Sequence, residues 1–254
     1  MIFKTFRIAG MIVLATFVLS SAAGATTCSN ASLSGTYGSL TEGTNPAGQP
    51  EDSLFQFNLD PSTGTLTGTD ENGVSVTGTY EVASDCTVTG TTTKGGSTHT
   101  FSGVVTSTGL QSVSGNPGAT NGGFWVAQGS PTCTNAGVEG SFGLEVRGSF
   151  LAGASFTGPV ILIGELTLRA DASGDGVISG HIAGSENGTI LTFAEEPVTG
   201  SYTVAADCKG TLTITPRGES ALNFSFVVVD GGKEMLAIET DADTVVTGTL
   251  LKGN

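Results

Sequence analysis

The chain is poor in positive charge, in aromatic rings and in any apolar run at helical spacing. Nine Lys and Arg stand against 23 Asp and Glu, a formal charge of −14. Phosphate recognition needs clustered Lys and Arg, so a nucleic-acid partner is disfavoured. An anionic membrane surface is disfavoured for the same reason, and the acidity serves solubility. One Trp and three Tyr make a stacked-ring sugar platform hard to build. Phe124 and Trp125, in a late alternating run, read as core. The two histidines, His99 and His181, fall at unrelated places among Thr, Ser and Gly, and read as strand or surface residues. No activated Ser or Cys accompanies them, as a triad requires. Gly153-Ala-Ser155-Phe-Thr157 lacks the second glycine of a nucleophile elbow. No catalytic residue is assigned.

What is present begins with a leader. Lys4 and Arg7 precede an apolar run from Ile8 to Leu19, and Ala23-Gly24-Ala25 follows as a small-residue cleavage site. The run falls short of the roughly 20 apolar residues that span a bilayer, so residues 1–25 are expected to be a removed secretory signal. Their loss takes away Lys4 and Arg7 and moves the formal charge from −14 to −16. No stable membrane anchor is expected after cleavage, and the expected location is secreted, periplasmic or at the cell surface.

The remainder is a duplication. Gly78–Thr93, GTYEVASDCTVTGTTT, is repeated at Gly200–Thr215 as GSYTVAADCKGTLTIT. Tyr and Val two apart share a strand face, Asp-Cys turns the chain, and a second alternating run follows. Cys28-Ser-Asn-Ala matches Cys133-Thr-Asn-Ala, and Phe101-Ser-Gly-Val-Val matches Phe224-Ser-Phe-Val-Val. Start, middle and end keep their order. Two modules are therefore expected, 26–130 and 131–254, joined at Ser130-Pro131-Thr132.

Alternating runs at short intervals, punctuated by Gly and Pro, indicate an all-β chain. About eight short antiparallel strands per module fit an up-and-down barrel or a small sandwich, and the barrel is favoured because closure removes edge strands. Two tandem antiparallel barrels are the expected architecture. Strand alternation on Pro159–Arg169 puts Val160, Leu162, Leu166 and Leu168 on one face and Glu165, Thr167 and Arg169 on the other. Asn72-Gly73 is expected to form a two-residue hairpin turn.

Four cysteines occupy matching places, and four cysteines allow three pairings. Duplication favours Cys28–Cys86 and Cys133–Cys208, since each module then closes its own bridge. Zinc would need close paired spacing with histidine nearby. A weak calcium site is conceivable at Asp171, Ser173 and Asp175, whose oxygens alternate before Gly176 as in the first half of a calcium loop. Strand-forming flanks instead suggest a hairpin turn with Asp, Ser and Gly in turn roles. No other cofactor is implied. The adjacent acids Glu51-Asp52 and Glu195-Glu196 read as solvated loops, and Arg147 and Arg169 as barrel exterior.

The doubled Gly-Thr-Tyr-x-Val-x-x-Asp-Cys pattern resembles uncharacterised exported Gly/Thr-rich β proteins of bacteria. Gly200-Ser-Tyr-Thr-Val with the turn and strand after it is similar to one hairpin of the allene-oxide-cyclase and dirigent-like barrels. That resemblance implies an eight-stranded barrel that holds an apolar substrate and steers its cyclisation or coupling. Where those hairpins turn through Gly-Gly-Thr-Gly, this chain has Ala206-Asp207-Cys208-Lys209, so no functional residue carries over.

Two functions follow as expectations. The first is a non-enzymatic exported module with a structural, adhesive or binding role and an envelope partner. The second is a barrel holding a small apolar ligand. Large side chains filling the interior favour the first, and an apolar cavity of a few hundred Å³ favours the second. A glycosidase-type hydrolase, which needs two carboxylates roughly 5–10 Å apart in a cleft, ranks third.

Overall fold

The computed structural model describes residues 27–154, 157–191 and 197–253. The leader at 1–25 and the Glu195-Glu196 pair lie outside them. The first half carries β1 (Gly35–Thr44), β2 (Pro50–Asp60), β3 (Thr65–Asp70), β4 (Ser75–Val82), β5 (Thr87–Lys94), β6 (Ser97–Val105), β7 (Gly109–Asn116) and β8 (Ala119–Ala127). Each strand pairs antiparallel with the next, and β8 returns to β1 to close an eight-stranded barrel.

The second half carries β9 (Gly140–Phe150), β10 (Gly158–Ala170), β11 (Gly176–Glu186), β12 (Thr189–Leu191), β13 (Pro197–Val204), β14 (Lys209–Pro216), β15 (Leu222–Val229), β16 (Glu234–Glu239) and β17 (Thr244–Lys252). Pairing of β9 with both β10 and β17 closes a second ring of eight. The short β12 pairs with the last three residues of β11, beyond the stretch of β11 that pairs with β13.

Alternation builds both walls. On β4, Val76, Tyr80 and Val82 are buried while Thr77, Thr79 and Glu81 face water. Outside, hydroxyls pair across strands, as Thr79 with Thr91 at 3.1 Å and Thr203 with Thr211 at 2.9 Å. An apolar inside with a hydroxyl- and charge-bearing outside is the reverse of a lipid-facing barrel.

One end of each barrel is closed by the shared Cys-x-Asn-Ala opening. It forms short 3-10 turns at Asn30–Ser32 and Asn135–Val138 that bring buried Leu33 and Val138 onto the core. The Asn30 side chain accepts a hydrogen bond from the Val82 amide at 2.8 Å, and Asn135 accepts one from Val204 at 2.8 Å. Tyr80 donates to the Leu33 carbonyl at 2.7 Å, and Tyr202 to that of Asn135 at 2.8 Å.

The disulfides Cys28–Cys86 and Cys133–Cys208 lie at these same ends, each within its own barrel, with Cα atoms 4.9 and 4.8 Å apart. Cys86 and Cys208 take left-handed φ values of 70° and 68° at the hairpin corners. In the loop-entropy description each bridge contributes roughly 4 kcal/mol.

The barrels pack side by side. Leu40, Leu54, Phe124 and Val126 on the outer face of β1, β2 and β8 meet Val227, Val229, Leu236 and Ile238 on β15 and β16. Gly38 permits that approach, since a Cβ there would stand 2.6 Å from Val229 Cγ1. At the joint, Gln128 Nε2 donates to the Val228 carbonyl at 3.1 Å, and the Gly231 amide donates to the Gln128 carbonyl at 2.9 Å.

One turn differs from expectation. Asn72-Gly73 lies inside a four-residue connection, because Asp70 Oδ1 captures the amides of Asn72 and Val74 at 2.9 and 2.8 Å. A carboxylate that satisfies two turn amides favours the wider loop over a two-residue turn.

Candidate functional site

Both halves close one end with the same device, which leaves the opposite ends as the candidate sites. There each barrel opens as a cup, and the two cups share one backbone. The strand register is equivalent all round the two rings: Tyr37 faces Phe57 as Phe142 faces Leu166, and Gly90 faces Phe101 as Leu212 faces Phe224. Inward positions can therefore be matched one to one.

The second cup encloses about 430 Å³. Its wall is apolar, with Phe150, Val160, Leu162, Ile182 and Leu222, while Glu186, Glu219, Glu239, Asp241 and Asp243 stand about the mouth. Glu239 ends β16 on the inward face and is only 6% exposed. Desolvation, with Asp241 and then Asp52 beside it, pushes its carboxyl up to about 8. It is therefore mostly neutral at pH 7 and shares a hydrogen bond with Asp241. Asp241 is itself held by Asn223, through its amide at 3.0 Å and its Nδ2 at 2.8 Å. Across the mouth, Glu186 is pushed up by desolvation and by Glu219.

The first cup is smaller, about 150 Å³. Its floor is aromatic. Phe55 stacks on Phe57 at 5.3 Å, Phe57 lies 4.7 Å from Trp125, and Phe101 lies 5.3 Å from Trp125. Its wall is polar, with Thr41, Ser53, Thr92, His99, Ser112 and Asn121. Beneath them, Asp70 is 1% exposed and pairs with Lys94 at 2.6 Å. Burial pushes the Asp70 carboxyl up, but the Lys94 hydrogen bond and the amides of Val74 and Asn72 outweigh it and hold the group below its usual range. The Lys94 ammonium also lies 5.5 Å from the Phe55 ring centre.

The remaining sequence candidates scatter. Asp171, Ser173 and Asp175 form the β10–β11 turn, where Asp171 Oδ1 accepts the amides of Ser173 and Asp175 at 2.8 and 3.0 Å. That turn is at the closed end of the second barrel, far along the strands from the cup. Among the described residues no group of three or more His, Cys, Asp or Glu is placed to hold a metal ion.

His181 is exposed on β11, whereas His99 lines the first cup. Arg147 lies on the barrel exterior, 3.3 Å from Glu42 of the other barrel and 3.7 Å from Glu145. Glu51 borders the first cup, while Asp52 faces the second barrel and is pushed up to about 7 by burial, Glu71 and Glu42. Ser155 lies outside the described residues. Trp125 is core as expected, but its ring also floors the cup, and Phe124 packs between the barrels. Sequence reasoning missed the aromatic floor and Glu239. Three of the four ring residues come from different strands, and nothing local marks them as neighbours.

Fold and cups together define a protein of two tandem eight-stranded antiparallel β-barrels, each stapled at one end and open at the other. No protein-family model matches the chain, and no curated protein matches it significantly. Among solved structures, a protein of unknown function from the DUF3598 family of Nostoc punctiforme PCC 73102 aligns over 88% of this chain and 97% of its own, at 10% identity and a TM-score of 0.28.

Proposed function

We propose that the protein is an exported, non-enzymatic binding protein whose second barrel holds one small apolar molecule in its open cup. The observation that carries this reading is the apolar-walled space of about 430 Å³, within the range of pockets that enclose small ligands. Burying the apolar surface of such a ligand there contributes about 25 cal/mol per Å². Glu239, neutral at pH 7, donates its one proton to Asp241 and leaves its other oxygen as a hydrogen-bond acceptor in an otherwise apolar wall, and the acidic mouth disfavours anions. Export is supported by the leader signature and by two disulfides, which suit an oxidising compartment. All four cysteines are bridged and the two histidines are far apart in the fold, which supports binding rather than nucleophilic chemistry.

The experiment is native mass spectrometry of protein purified from its own source, together with titration of the apolar dye N-phenyl-1-naphthylamine. A retained small molecule or saturable dye binding is expected, and Leu162→Trp, which fills the cup, should abolish both. A bare mass with no saturable dye binding overturns the reading.

A further inference from the structure

The two cups differ in a systematic way. At matched register positions Thr41 stands where the second barrel has Val146, Ser53 where it has Leu162, Thr92 where it has Ile214, and Asn121 where it has Val246. Asp70 likewise stands where it has Ile182. The second barrel thus demonstrates that this backbone accepts apolar residues at every one of these places. Polar groups turned into a barrel interior cost stability unless they find partners. Two polar atoms of this interior have no hydrogen-bond partner among the described residues: Ser39 Oγ, on a residue 1% exposed, and Asn121 Oδ1. Ser39 lines this cup, and its counterpart in the second barrel is Leu144.

From this contrast we infer that the first cup is a second, separate binding site, for a small neutral polyhydroxylated ring of the monosaccharide or cyclitol class. Four features of the cup select that class. The floor of Phe57 and Trp125 offers flat π faces, on which the C–H bonds of a saturated ring rest. The wall offers hydroxyls and an amide, each able to donate and accept, at the height where ring hydroxyls would project. The Lys94 ammonium is neutralised by Asp70 and the Glu51 carboxylate is solvent-exposed where it borders the cup, so the interior calls for no charged ligand. A space of about 150 Å³ takes the carbon frame of a single six-membered ring, since an engineered cavity of about that size holds benzene, and the outer hydroxyls then project through the open mouth.

Trp125 makes the site directly observable, because it is the only Trp in the chain. The disulfide-bonded mature protein is titrated separately with D-glucose, D-galactose and myo-inositol, following Trp125 emission and saturation-transfer NMR of the ring protons. At least one probe should give a saturable emission change with matching saturation transfer. Thr41→Val and Thr92→Val keep side-chain shape and imitate the β-branched apolar residues of the other barrel. Each should weaken binding about tenfold, the equivalent of one lost hydrogen bond, while the melting temperature holds or rises.

Absence of a saturable response to all three probes overturns the inference. A response to phenol with none to the polyols also overturns it, in favour of an aromatic ligand. Undiminished binding in both Thr→Val variants overturns the assignment to this cup. Dye binding in the second barrel is a separate readout, so failure of one site leaves the other standing.

Discussion

Glu239 makes the fold of this protein sensitive to alkali rather than acid in the neutral range. Its carboxyl titrates near 8 in the folded chain and near its ordinary value, about 4.3, when unfolded. Between those two values the folded state binds the proton and the unfolded state does not. Stability therefore falls as pH rises across that window and levels off above it. At about 1.36 kcal/mol per pH unit the full displacement corresponds to about 5 kcal/mol. Hydration through the open cup lowers the measurable part to about 2–3 kcal/mol.

Asp52, raised to about 7 by burial, Glu71 and Glu42, adds a slope of the same sign ending about a unit lower. Glu239→Gln keeps the shape and can still donate to Asp241, but it has nothing to titrate. Urea denaturation of the oxidised protein at pH 5, 6, 7, 8 and 9 should show the wild-type midpoint falling steadily to pH 8. The variant should show a shallower decline and be the more stable protein at pH 8. Equal slopes in the two proteins would refute the assignment of this carboxyl as buried and neutral.

Asp70 has the opposite sign. Its folded value is depressed, so its contribution is present above pH 4 and is lost as pH falls through the folded value. Asp70→Ala should cost about 2–3 kcal/mol at pH 7, read by urea denaturation, and should flatten the acid limb of the stability profile. Gly38→Ala puts a methyl group 2.6 Å from Val229 Cγ1 and should lower stability by about 1–3 kcal/mol through overpacking. Gly38 is not at positive φ, so crowding is its whole cost; at exposed Gly95, where φ is 57° and nothing crowds the site, Gly→Ala tests the separate cost of a left-handed backbone. The double variant Cys28→Ser/Cys86→Ser should lose roughly 4 kcal/mol, with Trp125 fluorescence reporting the transition of the first barrel.

Much of the framework was legible because β-structure writes itself locally. Tyr80 and Val82, like Tyr202 and Val204, alternate with Thr and Glu, and a period of two fixes which side of a strand faces inward. The repeated Asp-Cys corners fixed where hairpins turn. The Asn72-Gly73 turn was misjudged because the capturing carboxylate, Asp70, sits two residues before the pair and outside the turn signature.

The amino-acid sequence by itself pointed to an all-β chain with two similar halves and a cysteine pair in each, since composition, period and internal similarity are properties of neighbours along the chain. Alternation separates inside from outside but carries no information about height along a barrel axis. Only ring closure, which brings β8 back to β1 and β9 together with β17, decided that Phe57, Phe101 and Trp125 meet beneath a polar mouth. The same closure set Glu239 in an apolar wall, so that two halves with one register became two differently lined cups.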